Sequence, residues 1–272
     1  MMGLGLCWGT VPRAPLLTHI DAAADAGFTS ISVSPEQYLS AHRSPAELRL
    51  RLADCGVVVD AVDPALTWLP GMPPTPDGGL LSYDTADVLT TAEALGARWI
   101  NAAVAFPGPW SQAEITDAFA ALCRRGAEAG VGVLLEFVPW STVGDLPAAA
   151  RVVRACGAAN AGVTFDTWHF HRGGSRLASL TAEDLSVVRA IQISDAVAQP
   201  TTDSMTESIS ARLLPGEGVI PLLELLSLLR EATAEAPLSV EVFNTDLRRQ
   251  PVDTVARLAG DAARRVIAAS AI

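Results

Sequence analysis

Residues 1–272 predict one α/β domain, a (β/α)8 TIM barrel, on three observations. Short apolar runs alternate with helical segments that repeat every 3.6 residues or so, which is the pattern of a parallel sheet, and about eight such units close into a barrel. The length of 272 residues suits a fold that takes about 250. No Pro/Gly/Ser-rich linker and no block of like charge divides the chain. An open doubly wound sheet is the competing architecture, but no glycine fingerprint follows the first apolar run, as dinucleotide binding requires.

In chain order the expected strands are Leu4–Trp8, Thr29–Val33, Val57–Ala61, Trp99–Val104, Val131–Phe137, Gly162–Asp166, Arg189–Ser194 and Leu238–Phe243. Between and after them the helical period covers Leu16–Ala26, Pro45–Cys55, Asp84–Leu95, Gln112–Ala129, Leu146–Cys156, Pro221–Glu235 and Val252–Ala268. Ser44-Pro45 supplies a cap and a first-turn proline to one helix, while Gly27, Gly56, Gly96, Gly130 and Gly157 follow the ends of five helices, that one included. The longest excursions, Asp63–Ser82 and Ala196–Pro215, follow the third and seventh strands. Both therefore leave the end of the barrel that carries active sites, and both are candidate lids. Leu66, Trp68 and Leu69 give the first of them apolar surface to bury.

Four polar side chains punctuate these strands: Glu136, Asp166, Gln192 and Glu241. Successive residues of a strand face opposite sides, so Ile191 and Ile193 share one face and Gln192 the other, as do Val240 and Val242 against Glu241. The β-branched residues then face the helices and the polar ones face the barrel axis. Three carboxylates and one amide oxygen make an oxygen-only ligand set, which suits Mn²⁺ or Mg²⁺ better than zinc, whose preferred partners are imidazole and thiolate. An ion so held polarises a ketone and a neighbouring hydroxyl together.

Several stretches resemble the motifs of the xylose-isomerase-like sugar phosphate isomerase/epimerase superfamily: Asp166-Thr167-Trp168-His169, Arg172-Gly173-Gly174, Gln192-Ile193-Ser194-Asp195-Ala196, Arg212 to Gly218, and Ser239 to Asn244. The resemblance implies a metal bound by Glu136, Asp166, Gln192 and Glu241, with His169 within reach of substrate and Arg212 contacting it. Many members carry histidine where Gln192 stands. Glutamine there, in its Gln192-Ile193-Ser194-Asp195-Ala196 context, resembles hydroxypyruvate isomerases and 3-dehydroshikimate dehydratases, and Glu241-Val242-Phe243-Asn244 followed by Arg248 resembles the dehydratase branch in particular.

In such a site Glu136 and Glu241 serve as acid and base on either side of an enediolate, and His169 is a third proton carrier. Return of the proton to the other face gives epimerisation, and return to the adjacent carbon gives isomerisation. Loss of a β-hydroxyl gives dehydration, as in 3-dehydroshikimate or inosose dehydratases. A ligand-binding barrel without turnover is the non-catalytic alternative.

Trp8, Trp68, Trp110, Trp140 and Trp168 all fall at or after the C-terminal ends of strands, and Trp8 and Trp168 are read as substrate contacts. Asp195 and Glu217 are read as fixing the loop and its turn, and His19, His42 and His171 as structural or exposed.

Composition excludes other chemistry. The sequence has no lysine, so all 19 of its basic residues are arginines, and Schiff-base or pyridoxal catalysis is impossible. A net charge of −11 and only 4 histidines argue against nucleic acid as partner and against a nuclease zinc cluster. Cys7, Cys55, Cys123 and Cys156 form no paired motif and are read as reduced thiols. Met1 to Thr10 carries no basic leader and no apolar run spans a bilayer, so the expectation is a cytoplasmic protein acting on a small-molecule substrate, without membrane contact. Related barrels commonly associate, which makes a homo-oligomer an expectation as well.

Overall fold

The computed structural model describes residues 3–76, 78–200, 202–233 and 236–270. Eight parallel strands close on themselves in sequence order: β1 Leu4–Leu6, β2 Ser30–Val33, β3 Val58–Ala65, β4 Trp99–Ala103, β5 Gly132–Glu136, β6 Ala161–Asp166, β7 Val188–Ile193 and β8 Leu238–Val240. The helices α1 Leu16–Asp25, α2 Pro35–Leu39, α3 Pro45–Cys55, α4 Thr85–Leu95, α5 Gln112–Glu128 and α6 Leu146–Cys156 follow the first five strands. The rest of the ring carries α7 Thr167–Arg172, α8 Ala182–Leu185, α9 Ser204–Ser210, α10 Leu222–Ala232 and α11 Val252–Ala269. The expected barrel is thus present. Among the described residues no helix is long and apolar enough to cross a membrane.

Strand alternation builds two layers. Leu6, Ile31, Ile100, Val133, Phe165 and Val240 are fully buried on the outer face, where the helices pack. Each such side chain removed from water contributes roughly 1.5–3 kcal/mol. The inner face is small and polar, with Gly5, Ser32, Asn101, Thr164, Gln192 and Ser239 around an axial cavity of about 30 Å³. Trp99 is among its lining residues, and its ring lies so close to Gly132 that a Cβ there would stand 2.1 Å from it. Glycine at 132 is what admits the indole.

Helix starts follow the sequence signals. Ser34, Ser44, Asp84 and Ser111 form reciprocal capping boxes, and Gly56, Gly96 and Gly157 end their helices in the left-handed region. Differences lie at element ends. β3 runs on to Ala65 and so takes in Asp63, whereas β8 stops at Val240 and leaves Glu241 just beyond it. The expected helix 221–235 is observed as Leu222–Ala232, and its last two positions, Ala234 and Glu235, lie outside the described residues.

The two long excursions are ordered against the barrel in different ways. Trp68 and Leu69 are buried, and the Trp68 indole donates to the Ala103 carbonyl at 3.0 Å. The second excursion contains α9, tied down by Arg172, whose guanidinium donates to both carboxylate oxygens of Glu207. Asp195 accepts from the backbone of Ala196, Gly216 and Ile220, and so pins the far end of the same loop.

Candidate active site

The carboxyl ends of β5, β6, β7 and β8 bring Glu136, Asp166, Gln192 and Glu241 to one mouth, each less than one-tenth exposed. Asp166 is also the cap of α7: its Oδ1 accepts from the backbone of Trp168 at 2.6 Å and of His169 at 2.9 Å. One residue thereby fixes both its own carboxylate and the position of His169. His169 Nε2 stands 3.3 Å from Glu136 Oε1, and atoms of Glu136, Asp166 and His169 lie within 4.8 Å of one another.

Arg212 knits the cluster together from the loop after β7. Its Nη1 donates to Asp166 Oδ2 at 2.6 Å and to Glu241 Oε2 at 3.2 Å. Its Nε and Nη2 are anchored on the carbonyl and hydroxyl of Ser208. The guanidinium lies 5.2 Å from the Trp168 ring centre and 5.3 Å from that of Phe243. Glu241 Oε1 in turn accepts from Gln192 Nε2 at 3.0 Å.

Two side chains that sequence reasoning passed over complete the mouth. Asn101 Nδ2 donates to Glu136 Oε2 at 2.7 Å and to Asp63 Oδ1 at 3.0 Å, while its Oδ1 accepts from Thr164 at 2.6 Å. Asp63 Oδ2 accepts from the Trp8 indole at 3.1 Å. The signal for Asp63 was available: it is an acid at the end of an apolar run, like Glu136 and Asp166. Asn101 is a lone polar residue inside a strand and offers less.

The expected substrate contacts Trp8, Trp168, His169 and Arg212 are all buried. Trp168 has no exposed surface, so it backs Arg212 and His169 and presents no face to a ligand. Arg212 is 2% exposed and turns inward, because two carboxylates and Ser208 satisfy it there. Trp8 is buried and holds Asp63. Trp140 is the half-buried indole next to His169, with ring centres 5.8 Å apart, and its N–H is spent on the Ala105 carbonyl. Trp68 and Trp110 likewise tie loops, the latter through the Pro70 carbonyl. Arg248 lies over Phe243 and donates to Ile209.

The electrostatics follow from four buried carboxyl groups around a single guanidinium. Burial, and then the nearby Glu136, push Asp63 up to about 7 against the hydrogen bonds from Asn101 and Trp8. Burial also raises Glu241 well above the usual carboxylate range, with Arg212 opposing. Burial works on Asp166 in the same direction, but Arg212, His169 and the α7 backbone outweigh it and hold this carboxyl low. Such a cluster must take up protons or a cation. Gln192 Oε1 is buried without a hydrogen-bond partner among the described residues, and it belongs to the side chain that sits between Asp166 and Glu241 in strand order. An acceptor left free beside excess carboxylates fits a divalent ion, and the group whose ligand atoms lie within 4.8 Å of one another joins His169 to two of the four expected ligands, Glu136 and Asp166.

Comparison with known proteins agrees with this architecture. The family described as "Xylose isomerase-like TIM barrel" matches residues 20–265. An inosose isomerase of Halalkalibacterium halodurans (strain C-125) is 31% identical over 140 residues, 51% of this chain and 49% of that protein. The match thus spans about half the length of the curated relative. Among solved structures, the IOLI protein with a bound zinc atom superposes with a TM-score of 0.82 at 20% identity, over 98% of both chains. A probable 3-DHS dehydratase, AsbF from Bacillus anthracis, gives 0.73 at 13% identity, over 97% of this chain and 99% of that one. At these identities the likeness is one of fold.

Proposed function

The chain belongs to the xylose isomerase-like TIM barrel family, and on that footing we propose that it is a divalent-metal-dependent isomerase or epimerase of a small polyhydroxylated ketone. The similarity to inosose isomerases over half the chain favours a cyclic substrate. The observation that carries the reading is the excess of buried carboxylate over cation at the mouth, beside the free Gln192 oxygen. Glu136, Asp166, Gln192 and Glu241 are the proposed ligands of Mn²⁺ or Mg²⁺. When bound, the ion supplies Lewis-acid polarisation of the substrate carbonyl and its neighbouring hydroxyl.

The remaining work falls to the side chains. Glu136 removes the carbon-bound proton, and Asn101 holds its Oε2 so that Oε1 stays on the His169 side. Glu241 enters from β8, across Asp166 and Gln192 from Glu136, and returns a proton to the enediolate. Asp166 orients His169 through the α7 backbone, and Arg212 bridges Asp166 and Glu241 through Nη1.

Dehydration is the second reading, favoured by His169 standing 3.3 Å from Glu136, where it can hand a proton to a departing hydroxyl. One experiment separates the outcomes. With Mn²⁺ and inosose in D2O, the expected result is deuterium beside the carbonyl together with an isomeric ketone, read by NMR. A new conjugated absorbance would mark dehydration instead. Failure of inosose, other ketoses and 3-dehydroshikimate to take up deuterium would leave only a binding protein and sink the proposal.

A further inference from the structure

The Glu136 carboxylate is held from below by an amide that is itself held from three strands. Asn101 in β4 is in register with Leu134, two residues before Glu136 on β5, so its side chain comes up from the layer beneath the carboxylate. Both hydrogens of its Nδ2 are engaged, one by Glu136 Oε2 at 2.7 Å and one by Asp63 Oδ1 at 3.0 Å. The opposite edge of the amide is its Oδ1, which accepts the hydroxyl proton of Thr164 at 2.6 Å. Thr164 in β6 is in register with Glu136. Asp63 in β3 is fixed in turn, since its Oδ2 accepts from the Trp8 indole at 3.1 Å. Every member of this network is buried.

We propose, on the reading of Glu136 as the base, that Thr164 is a positioning residue: acting through the Asn101 amide, its hydroxyl fixes which oxygen of Glu136 faces the substrate. The two oxygens of a glutamate are equivalent until its surroundings distinguish them, because the terminal torsion is broad and nearly two-fold. Here Asn101 ties down Oε2, and Oε1 stands 3.3 Å from His169 Nε2. The tie is only as firm as the amide. Asn101 turns about its own terminal bond, and the two carboxylates grip one edge of it while Thr164 grips the other. Without the hydroxyl, the buried Oδ1 has no donor, and the amide tilts toward one, drawing Nδ2 off the line to Oε2. A displacement of about 1 Å at a reacting group can lower a rate by about 10²-fold.

Valine at position 164 keeps the branched shape and removes the donor, whereas serine keeps the donor and loses a methyl. That difference separates orientation from packing. The test measures inosose turnover and deuterium uptake at saturating Mn²⁺ for Thr164→Val and Thr164→Ser, each with and without Asn101→Ala. Thr164→Val is expected to lower kcat about tenfold with KM within about twofold, and Thr164→Ser to come within about threefold of wild type. In the Asn101→Ala background Thr164→Val should change kcat by less than about twofold, because the hydroxyl acts through the amide. Thr164→Ala should show the same split, which keeps the comparison open if the valine variant does not fold.

NMR gives a readout independent of turnover. The two Asn101 Nδ2 protons should exchange slowly with solvent in wild type and Thr164→Ser, and at least about tenfold faster in Thr164→Val. Wild-type kcat in Thr164→Val, serine no better than valine, full additivity with Asn101→Ala, or unchanged exchange of the Asn101 protons would overturn the proposal. Glu136→Gln, measured alongside, tells the two readings apart: if it retains turnover, Glu136 is not the base, whereas an inactive Glu136→Gln beside a fully active Thr164→Val removes only the role of Thr164.

Discussion

Glu136→Gln is expected to lower kcat by about 10³-fold while leaving the fold intact. The amide keeps the size of the carboxylate and still offers one oxygen to the Asn101 Nδ2 that donates at 2.7 Å. It also removes one of the four buried acidic groups at the mouth, and Arg212 keeps its hydrogen bonds to Asp166 and Glu241. What disappears is the base beside His169. Positioned acid–base groups are worth about 10²–10⁴ in rate, and a residue that also helps hold the ion sits in the upper part of that range. Steady-state turnover of inosose and the rate of deuterium uptake should fall together. A loss under tenfold in both would remove Glu136 from the proton transfer.

Arg212→Met is expected to destabilise the metal-free protein by about 3–5 kcal/mol, the range for removing one partner of a buried ion pair. Depth decides the size. At 2% exposure the guanidinium is not screened by solvent, whereas an exposed pair would contribute under about 1 kcal/mol. Methionine keeps much of the volume between Trp168 and Phe243, so the loss reports mainly on Asp166 and Glu241 left facing each other without a cation. Chemical denaturation in the presence of a chelator measures it. Added Mn²⁺ should restore part of the stability, because the same two carboxylates are proposed ligands. A loss below about 1 kcal/mol would mean that the buried pairs carry little of the fold.

The barrel was legible because alternation within strands and the 3.6-residue period between them are local properties, and each of the eight expected strands overlaps an observed one. The helices α2, α7, α8 and α9 escaped, since four to seven residues are too few to show a helical period, and capping decides them instead. The convergence of Glu136, Asp166, Gln192 and Glu241 could be read from their common place at strand ends. Asp63 carries the same signal, but the proline after it reads as the start of a loop although β3 continues through it. The depth of Trp168 and the inward turn of Arg212 were out of reach, because partners on three other elements set them.

The most direct test of the proposed centre is a Mn²⁺ titration of the metal-free protein, followed by electron paramagnetic resonance of the free ion. The reading requires one saturable site per chain, at least tenfold weaker in Gln192→Ala and absent in the Asp166→Asn, Glu241→Gln double variant. Equal binding by wild type and the double variant, or no saturable site in the wild type, would contradict it.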